Sequence, residues 1–371
     1  MIIGVNTRFL LKDKMEGFGW FTYETMSRIV KSNPEHTFVF FFDRKYDKSF
    51  IFSDNVKPVV LFPPTRHIKI FDYWFNVRLT KALKKHKCDA FIAPDGFLSL
   101  KTDLPQLAVI HDLNFEHFPE DLPKGVSKYY KTHFPAFANK AKRILTVSEY
   151  SKNDIVEKYN ISPEKIDVAW NGVNNRFSPQ TEESIENTRN KFSNGAPYIL
   201  FVGAIHKRKN LPRLLKAFDK VKSSWNKPIK LLIVGEELWS KNFQVNELKH
   251  NSDILFTGHL GADELAKVYG AASVFAYVSY FEGFGIPLVE AMKSGVPVLA
   301  GNKTSLPEVG GDAVHYCDPF SVEDIAKQLL ELLENENLRT SLIEKGIKRS
   351  EKFSWDNTAD KLWETFKKMM K

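Results

Sequence analysis

The sequence predicts two doubly wound α/β domains, and two observations lead to this fold class. The chain has 371 residues, which is more than a single hydrophobic core usually serves. In both halves, short apolar segments rich in Val, Ile and Phe alternate with segments of helical periodicity, a pattern typical of parallel sheets covered by helices. Because such sheets bind ligands at the carboxyl ends of their strands, we expect the two domains to face a shared central cleft.

The predicted strands are short apolar runs, as buried parallel strands commonly are. In the first half they cover residues 2–6, 37–42, 58–62, 89–93, 107–111, 143–147 and 165–170. In the second half they cover residues 198–202, 230–234, 254–256, 273–278, 296–300 and 313–316. Helical spacing is clear in residues 20–30, 211–223 and 262–269.

A polar segment between the two halves indicates the domain boundary. Residues 173–194 show little apolar periodicity beyond one short helical run, so we interpret them as a linker. This places an N-terminal domain at residues 1–172 and a C-terminal domain at residues 195–354.

Composition and cysteine usage favour a cytoplasmic globular enzyme. Hydrophobic residues make up 43% of the chain and charged residues 26%, which is ordinary for such proteins. Cys88 and Cys317 lie far apart and no C-x-x-C occurs, which argues against a disulfide framework or a zinc site. The apolar run at the N-terminus is too short for a signal peptide, and no run reaches the length of a membrane span.

The positive charge is concentrated in the first half. Residues 1–180 hold 27 Lys and Arg against 20 Asp and Glu, so this half carries nearly all of the net charge of +8. An acidic surface partner should therefore meet this half. A basic module that binds nucleic acid or membrane is one hypothesis for such a chain, but no zinc finger or RNP signature occurs, and we expect no nucleic-acid partner.

The most informative stretch is residues 279–292, SYFEGFGIPLVEAM, which reads as a strand end, a glycine turn and a helix start. Gly283 and Gly285 allow a tight turn and a close approach to a ligand. Pro287 suits the first helical position, where its missing N–H costs nothing. Glu282 and Glu290 flank this opening, so carboxylates for sugar hydroxyls lie beside amides for an anion.

This stretch resembles the E-x7-E motif of retaining glycosyltransferases with the GT-B fold, family 4, also called glycosyl transferases group 1. The residues that follow, through 291–298 and 305–308, are similar too. The resemblance implies a GT-B chain, with two doubly wound Rossmann-like domains facing a central cleft. It implies that the C-terminal domain binds the donor nucleotide, that the N-terminal domain binds the acceptor, and that the helix at 355–371 packs back on the N-terminal domain.

A basic turn after a strand supplies the second motif. Residues 201–212, FVGAIHKRKNLP, contain Gly203 at the strand end and Arg208 and Lys209 close to a helix start. Cations and a helix dipole at one point favour a diphosphate. The stretch resembles the R-K-N phosphate site of the family, although Ala204 stands where many relatives carry arginine. A solvated basic turn is the structural alternative.

The resemblance assigns roles to these residues. Glu290 would hold the ribose hydroxyls, and Glu282 would hold the donor sugar and help to stabilise developing positive charge. Arg208, Lys209 and the backbone amides of the turn would stabilise the departing diphosphate. The turn residues are Gly283, Phe284, Gly285 and Ile286.

Two sites in the N-terminal half also match the family. His111, at the end of a predicted strand, is similar to a histidine that approaches the donor sugar, and we expect it to bond a sugar hydroxyl. Gly17 and Gly19 resemble the glycine-rich loop after the first strand, where amides would approach the donor phosphates or the acceptor. A structural histidine and an ordinary turn are the alternatives.

We expect no essential metal and no cofactor besides the nucleotide-sugar substrate. No D-x-D sequence occurs, and Arg208, Lys209 and helix N-termini can neutralise a leaving diphosphate instead.

The predicted activity is transfer of a hexose, with retention, from a GDP- or UDP-linked sugar to a saccharide or lipid-linked acceptor in polysaccharide or glycolipid synthesis. The motif variants are most similar to mannosyl- and related hexosyltransferases. One alternative is a sugar-nucleotide epimerase of the same fold, which would need no acceptor. Another is a retaining glycosidase, which also pairs carboxylates but has no use for the basic turn.

Residues 66–87 form a basic, amphipathic segment with two interpretations. It carries seven Lys and Arg and one acid, Asp72, and its apolar residues follow three-and-four spacing. They are Phe71, Trp74, Phe75, Leu79 and Ala82, with Arg78 in the same row. In the first interpretation the helix only packs this face on the sheet. In the second it also docks on an anionic membrane, and the enzyme would then work at the inner face of that membrane.

Overall fold

Every strand predicted from the sequence is present in the computed structural model, which describes residues 1–12, 15–204, 206–235 and 245–371. The strands are β1 (Ile2–Asn6), β2 (Thr37–Phe42), β3 (Val56–Val60), β4 (Ala90–Ala93), β5 (Gln106–Val109), β6 (Arg143–Thr146), β7 (Ile166–Val168), β8 (Tyr198–Val202), β9 (Lys230–Val234), β10 (Ile254–Gly258), β11 (Val274–Tyr277), β12 (Val298–Gly301) and β13 (His315–Cys317). Several ends differ from the prediction by a few residues, because a strand ends where its neighbour stops pairing.

The helices alternate with these strands, as the predicted fold class requires. They are α1 (Gly17–Ser32), α2 (Phe71–Tyr73), α3 (Thr80–Lys85), α4 (Asn114–His117), α5 (Lys124–Lys140), α6 (Glu149–Tyr159), α7 (Glu182–Ser193), α8 (Leu211–Ser224), α9 (Ala262–Gly270), α10 (Ile286–Lys293), α11 (Leu306–Gly310), α12 (Val322–Glu334), α13 (Glu336–Ser350) and α14 (Trp355–Met370). A π-helical segment, Trp74–Leu79, joins α2 to α3.

The chain divides into two compact units, each built on one parallel sheet. The first unit comprises Met1–Gly172 and Ser354–Lys371, and the second comprises Val173–Phe353. Among the described residues the strand order is β3-β2-β1-β4-β5-β6-β7 in the first and β10-β9-β8-β11-β12-β13 in the second. The order reverses between β1 and β4, and again between β8 and β11, so the predicted class of two doubly wound α/β units is confirmed.

The cores consist of the apolar strands and the helix faces that cover them. In the first unit, Phe41, Phe91 and Ile144 are fully buried in one cluster with the aromatic residues of the basic segment. In the second, Ile199, Leu231 and Leu299 are buried against α8 and α12. Since both faces of each sheet are covered, the strands are apolar throughout rather than alternating, which explains why they are easy to find in the sequence.

The last helix, α14, is part of the first unit. Leu362, Phe366 and Met369 are fully buried, and the Thr358 hydroxyl donates to the carbonyl oxygen of Trp170 at 2.6 Å. Arg28 of α1 donates to Asp356 at 2.5 Å. The C-terminal segment therefore completes the core of a unit whose other residues precede position 173.

Residues 173–194, which the sequence predicts as a linker, lie in the second unit. Their second half forms α7, whose first N–H groups are capped by Thr181 and whose first turn carries Glu182 and Glu183. Arg189 of this helix donates to the carbonyl oxygen of Ala271 at 3.0 Å.

The basic segment, residues 66–87, uses its apolar face in the core. Trp74, Phe75 and Leu79 are buried, and the Trp74 indole donates to the carbonyl oxygen of Leu61 at 3.0 Å. Its lysines, together with Tyr73, are exposed. The apolar face of this segment therefore packs in the core, as the first of the two interpretations predicts. Separately, no helix in the described part of the chain is long and apolar enough to cross a membrane.

Candidate functional site

The two strongest sequence motifs follow neighbouring strands of the second sheet, where the strand order reverses. Gly203 follows β8, and the turn at residues 279–285 follows β11. The backbone N–H of Tyr280 donates to the carbonyl oxygen of Arg208 at 3.1 Å, so the two loops are in contact. Ligands of open α/β sheets bind at this kind of switch point, and we take this edge as the candidate site of the second unit.

The glycine turn has the sharp geometry that its sequence predicts. Gly285 has φ of 100°, a left-handed conformation that residues with a side chain rarely adopt. A Cβ at this position would lie 2.8 Å from the Leu306 side chain, so space as well as conformation requires glycine. Helix α10 starts directly after it at Ile286. Pro287 is the second helical residue, whereas the sequence predicts it as the first. Within the described residues no side chain caps this helix start.

Three predicted site residues meet in one buried cluster. Lys209 donates to Glu282 Oε1 at 2.7 Å, and Arg208 donates to Glu282 Oε2 at 3.0 Å. Glu282 is only 4% exposed and Lys209 only 8%. The Glu282 carboxylate is thus held by two cations away from bulk water. The alternative of a solvated basic turn is therefore wrong for Lys209. The three side chains form a fixed cluster of charges.

The electrostatics of Glu282 follow from this cluster. Burial works to raise the pKa of the carboxyl, but the charges of Lys209 and Arg208 and the hydrogen bonds outweigh it and lower the pKa to about 2. Glu282 is therefore ionised at any physiological pH. Together the three side chains carry a net positive charge, which is suited to a diphosphate.

Two further residues, Tyr277 and Asn210, hold the cluster in place. The Tyr277 hydroxyl accepts from Lys209 at 2.6 Å, and the Asn210 amide donates to the carbonyl oxygens of Val278 at 3.0 Å and Pro319 at 2.5 Å. Asn210 has φ of 63°, which asparagine tolerates better than most residues. Asn210 is the last residue of the R-K-N motif identified in the sequence, whereas the sequence analysis missed Tyr277.

Loop residues after β12 complete the support. The Ser305 hydroxyl donates to the carbonyl oxygens of Glu282 at 2.9 Å and Phe284 at 3.2 Å. The backbone N–H of Glu282 donates to the Thr304 hydroxyl at 3.0 Å. The backbone on both sides of the turn is therefore fixed.

Glu290 lies further along α10 and has a different partner. Its carboxylate accepts from the Tyr269 hydroxyl at 3.0 Å. Burial raises the pKa of Glu290 to about 7, although the Tyr269 hydrogen bond and the charge of Lys209 act in the opposite direction. The two glutamates of the motif therefore differ in protonation near neutral pH. Tyr269, like Tyr277, is a residue that the sequence analysis missed.

His111 lies in the first unit, two residues beyond the end of β5. Its Nε2 is 2.8 Å from the carbonyl oxygen of Pro94, and its ring meets Phe18 and Phe21 edge-on at 4.8 and 4.9 Å. Burial lowers the pKa of His111. A neutral ring that bonds a carbonyl oxygen through Nε2 carries its proton there, so Nδ1 is the acceptor that a sugar hydroxyl could use.

Gly17 and Gly19 lie in the first turn of α1, which begins three residues earlier than the apolar spacing predicts. A Cβ at Gly19 would lie 2.6 Å from the carbonyl oxygen of Phe9, whereas Gly17 has open space around it. Close backbone packing thus accounts for Gly19.

A polar cluster marks the reversal of strand order in the first sheet, between β1 and β4. Asp95 accepts from Arg8 Nε at 2.6 Å and from the Asn6 amide at 2.9 Å. The guanidinium carbon of Arg8 lies 4.4 Å from the centre of the Phe97 ring and 4.6 Å from that of Phe71. The sequence analysis missed Arg8, because a single arginine after a strand has no distinctive spacing.

No group of three or more His, Cys, Asp or Glu side chains in the described ranges is arranged to hold a metal ion.

Comparison with known proteins connects these sites to a class of enzymes. Residues 16–177 match the model of Glycosyltransferase Family 4, and residues 183–349 match that of Glycosyl transferases group 1. The structure of Anabaena HepE in complex with UDP-glucose superposes with a TM-score of 0.77 at 16% identity, over 99% of this chain and 100% of that one. The two family models and this fold together define a GT-B glycosyltransferase.

Curated relatives agree with this class. O-antigen chain mannosyltransferase B of Escherichia coli is 29% identical over 280 residues, 74% of this chain and 73% of that protein. The serotype-specific mannosyltransferase WbdA of Escherichia coli is 27% identical over 71% of this chain, which spans only 33% of that longer relative. The chain belongs to family 4 of the glycosyltransferases, the group 1 enzymes, and the predicted family and enzyme class are confirmed.

Proposed function

We propose that this enzyme transfers a hexose, with retention of configuration, from a nucleotide sugar to a saccharide or lipid-linked acceptor in polysaccharide or glycolipid synthesis. The observation that carries the proposal is the Glu282–Lys209–Arg208 cluster at the switch point of the second sheet. It combines an acceptor of sugar hydroxyl bonds with two cations for a diphosphate, the two chemical parts of such a donor. A glycosidase or a nucleic-acid-binding module has no use for this combination.

The donor sugar is proposed to be mannose. Two E. coli relatives are mannosyltransferases by name, which supports this sugar. The base is open between GDP and UDP, since a structural neighbour at 16% identity was solved with UDP-glucose.

Each predicted site residue of the second unit then has a role. Glu290 holds the ribose hydroxyls and Glu282 the donor-sugar hydroxyls, while Lys209 and Arg208 stabilise the diphosphate as it leaves. The amides of Gly283 to Ile286 at the start of α10 contribute to the same stabilisation. Catalysis on this proposal is positioning plus electrostatics, and it needs no metal ion, because cations of the chain supply the charge.

The chemical step proposed is a front-face displacement. The anomeric carbon loses its bond to the diphosphate oxygen and gains a bond to the acceptor hydroxyl oxygen on the same face of the sugar. The leaving phosphate takes the proton of that hydroxyl, so no protein nucleophile is required. The first unit binds the acceptor, and His111 bonds a hydroxyl of the donor sugar through Nδ1.

A binding experiment tests the proposal in two stages. Thermal-shift measurement against GDP- and UDP-sugars identifies the donor, because a ligand that binds the native state raises its apparent stability. With that nucleotide, at pH 8, above the Glu290 pKa of about 7, Glu290→Ala should weaken binding of the free nucleoside diphosphate by about 1.5–3 kcal/mol, roughly 10- to 150-fold, through the loss of hydrogen bonds to a charged group. Isothermal calorimetry measures the change.

The matched control is Glu334→Ala, an exposed glutamate at the end of α12 in the same unit, which should leave the affinity unaltered. Wild-type affinity in the Glu290→Ala enzyme would remove Glu290 from the donor site. Failure of every sugar nucleotide to stabilise the protein would count against the function as a whole.

A peripheral membrane contact is proposed for the first unit. The exposed lysines of the basic segment and exposed Tyr73 and Phe62 support it, and each basic residue near an anionic surface contributes about 1 kcal/mol. Both cysteines are free and buried, which suits a reducing compartment and hence the cytoplasmic side.

Removing the charge of this segment tests the contact. Changing Lys81, Lys84, Lys85 and Lys87 to glutamine should abolish co-sedimentation with anionic liposomes at low salt while the fold stays intact, since all four are exposed. If wild-type protein ignores such liposomes, the segment is structural only and the acceptor is soluble.

A further inference from the structure

In the described part of the chain, the Glu290 carboxylate has one hydrogen-bond partner, the hydroxyl of Tyr269. Tyr269 lies in the last turn of α9 and is fully buried. Its hydroxyl donates to Glu290 Oε2 at 3.0 Å. Glu290 itself is half-buried, so Oε2 is held by the protein while Oε1 is left to a ligand.

The position of the Tyr269 hydroxyl is fixed by the packing of its ring. The ring meets Phe177 edge-on, with 5.4 Å between ring centres, and contacts Phe275 of β11 at 5.1 Å. Such contacts orient a ring as well as bury it. The same helix turn is tied to the sheet, because the Tyr198 hydroxyl of β8 donates to the carbonyl oxygen of Val268 at 2.6 Å. Tyr269 is therefore a rigid donor aimed at Glu290.

The hydrogen bond from Tyr269 favours the ionised form of Glu290. Burial raises the pKa of Glu290 to about 7, against the Tyr269 hydrogen bond and the charges of Lys209 and Arg176. Lys209 and Arg176 are each bonded to another carboxylate. Tyr269 is thus the group that acts on Glu290 by direct contact.

Other titratable groups near Glu290 do not replace this contact. Tyr277 of β11 lies within electrostatic range, but its hydroxyl accepts from Lys209. Lys293, one turn further along α10, donates to Asn175 at 2.7 Å. Burial and the nearby Glu290 carboxylate keep the pKa of Tyr269 well above 10, so its hydroxyl stays a donor throughout the neutral range.

We propose that Tyr269 is a positioning residue for donor binding: its hydroxyl fixes Glu290 Oε2, so that Oε1 is presented as a carboxylate oxygen to the ribose hydroxyls of the nucleotide. The ribose contact rests on the proposed function, whereas the coupling of Tyr269 to Glu290 rests on the contact alone. Donor affinity should therefore depend on pH near neutrality, because protonation of Glu290 replaces a hydrogen-bond acceptor with a donor.

Tyr269→Phe tests the coupling without any ligand, since it removes the hydroxyl and keeps the ring. Losing a hydrogen bond to the charged form should raise the pKa of Glu290 further, by about one unit or more. A carboxyl with a raised pKa in the fold makes stability fall as the pH rises from the ordinary 4.5 to the folded value. This fall ends near pH 7 in wild type and continues to higher pH in the variant. The urea midpoint of Tyr269→Phe should therefore lie further below that of wild type at pH 9 than at pH 6.

Two controls separate this effect from a general loss of packing. Tyr198→Phe removes another buried tyrosine hydroxyl of the same unit, one that bonds a backbone carbonyl, so its midpoint difference from wild type should be the same at both pH values. In a Glu290→Gln background, Tyr269→Phe should also have an effect independent of pH, because residue 290 no longer titrates. A difference for Tyr269→Phe that is constant with pH, or that widens equally in the Glu290→Gln background, would overturn the coupling.

Calorimetry with GDP and UDP tests the consequence for donor binding. Tyr269→Phe should weaken binding of the nucleotide that stabilises the protein by about three- to ten-fold at pH 7, since a smaller fraction of Glu290 is ionised. The ratio of variant to wild-type affinity at each pH cancels titration of the nucleotide itself. The weakening should be smaller at pH 9, where Glu290 is ionised in both proteins, and what remains there measures the loss of orientation.

The two measurements distinguish this proposal from the proposed function. If the urea midpoints show the coupling but neither GDP nor UDP binds, Tyr269 acts on Glu290 as inferred and the proposed function is wrong. If a nucleotide binds and Tyr269→Phe has the same affinity as Tyr198→Phe at every pH, the proposed function is kept and the positioning role of Tyr269 is wrong.

Discussion

Replacing Lys209 with alanine should lower the rate of sugar transfer by on the order of 10²-fold or more, the effect of losing one transition-state contact to a developing charge. Lys209 is the buried cation of the cluster, with hydrogen bonds to Glu282 and Tyr277. Its removal leaves Arg208 as the remaining partner of the Glu282 carboxylate in that cluster. Steady-state kinetics with the donor identified by thermal shift measures kcat.

Lys207→Ala is the control for this substitution. Lys207 belongs to the same 3-10 turn, Lys207–Lys209, but its side chain is exposed, so its loss should change kcat little. Lys209→Arg should recover part of the activity because it restores a cation. EDTA should leave the wild-type rate nearly intact. A normal kcat in Lys209→Ala, or full loss with EDTA that Mg²⁺ or Mn²⁺ restores, would contradict the metal-free role of the cations.

The second large effect is expected for Glu282→Gln, which should reduce transfer by on the order of 10²-fold and destabilise the enzyme at neutral pH by on the order of 3 kcal/mol, because two cations lose the partner of a buried ion pair. The pKa of Glu282 in the fold is about 2 against an ordinary 4.5. A lowered pKa contributes stability above pH 4.5 that is lost as the pH falls from 4.5 towards 2.

Urea unfolding at pH 7, 4.5 and 3 measures this contribution. Between pH 4.5 and 3 the urea concentration at the unfolding midpoint should fall more steeply for wild type than for Glu282→Gln, because the variant has no carboxyl to protonate at this position. Glu334→Gln, an exposed site, should follow the wild-type curve. Parallel curves for wild type and Glu282→Gln over this interval would show that the carboxyl is not held ionised by the cluster.

Most of the fold and the centre of the site could be predicted from local sequence. The apolar strands and the glycine turn before α10 are specified by residues a few positions apart, so periodicity and turn chemistry locate them. Arg208, Lys209 and Glu282 were each found from their own motif, and their contact follows from the strand order.

Other contacts could not be predicted because they join distant parts of the chain. Tyr269 meets Glu290 and Tyr277 meets Lys209 only through the packing of separate strands and helices. The Arg8–Asp95 pair spans 87 positions, and no sequence motif links the two residues. The start of α1 was missed because glycines are poor helix formers, whereas contact with the Phe9 carbonyl selects glycine at position 19.

The position of α14 has a consequence for the order in which the protein can be made. The second unit is one continuous segment, whereas the first contains residues from both ends of the chain. During synthesis the second unit can close as soon as its last residue leaves the ribosome. The first cannot, because the surface that receives Leu362, Phe366 and Met369 stays uncovered until these residues have been synthesised. That surface is then an apolar patch on a nascent chain, the kind of exposed hydrophobic surface that chaperones bind.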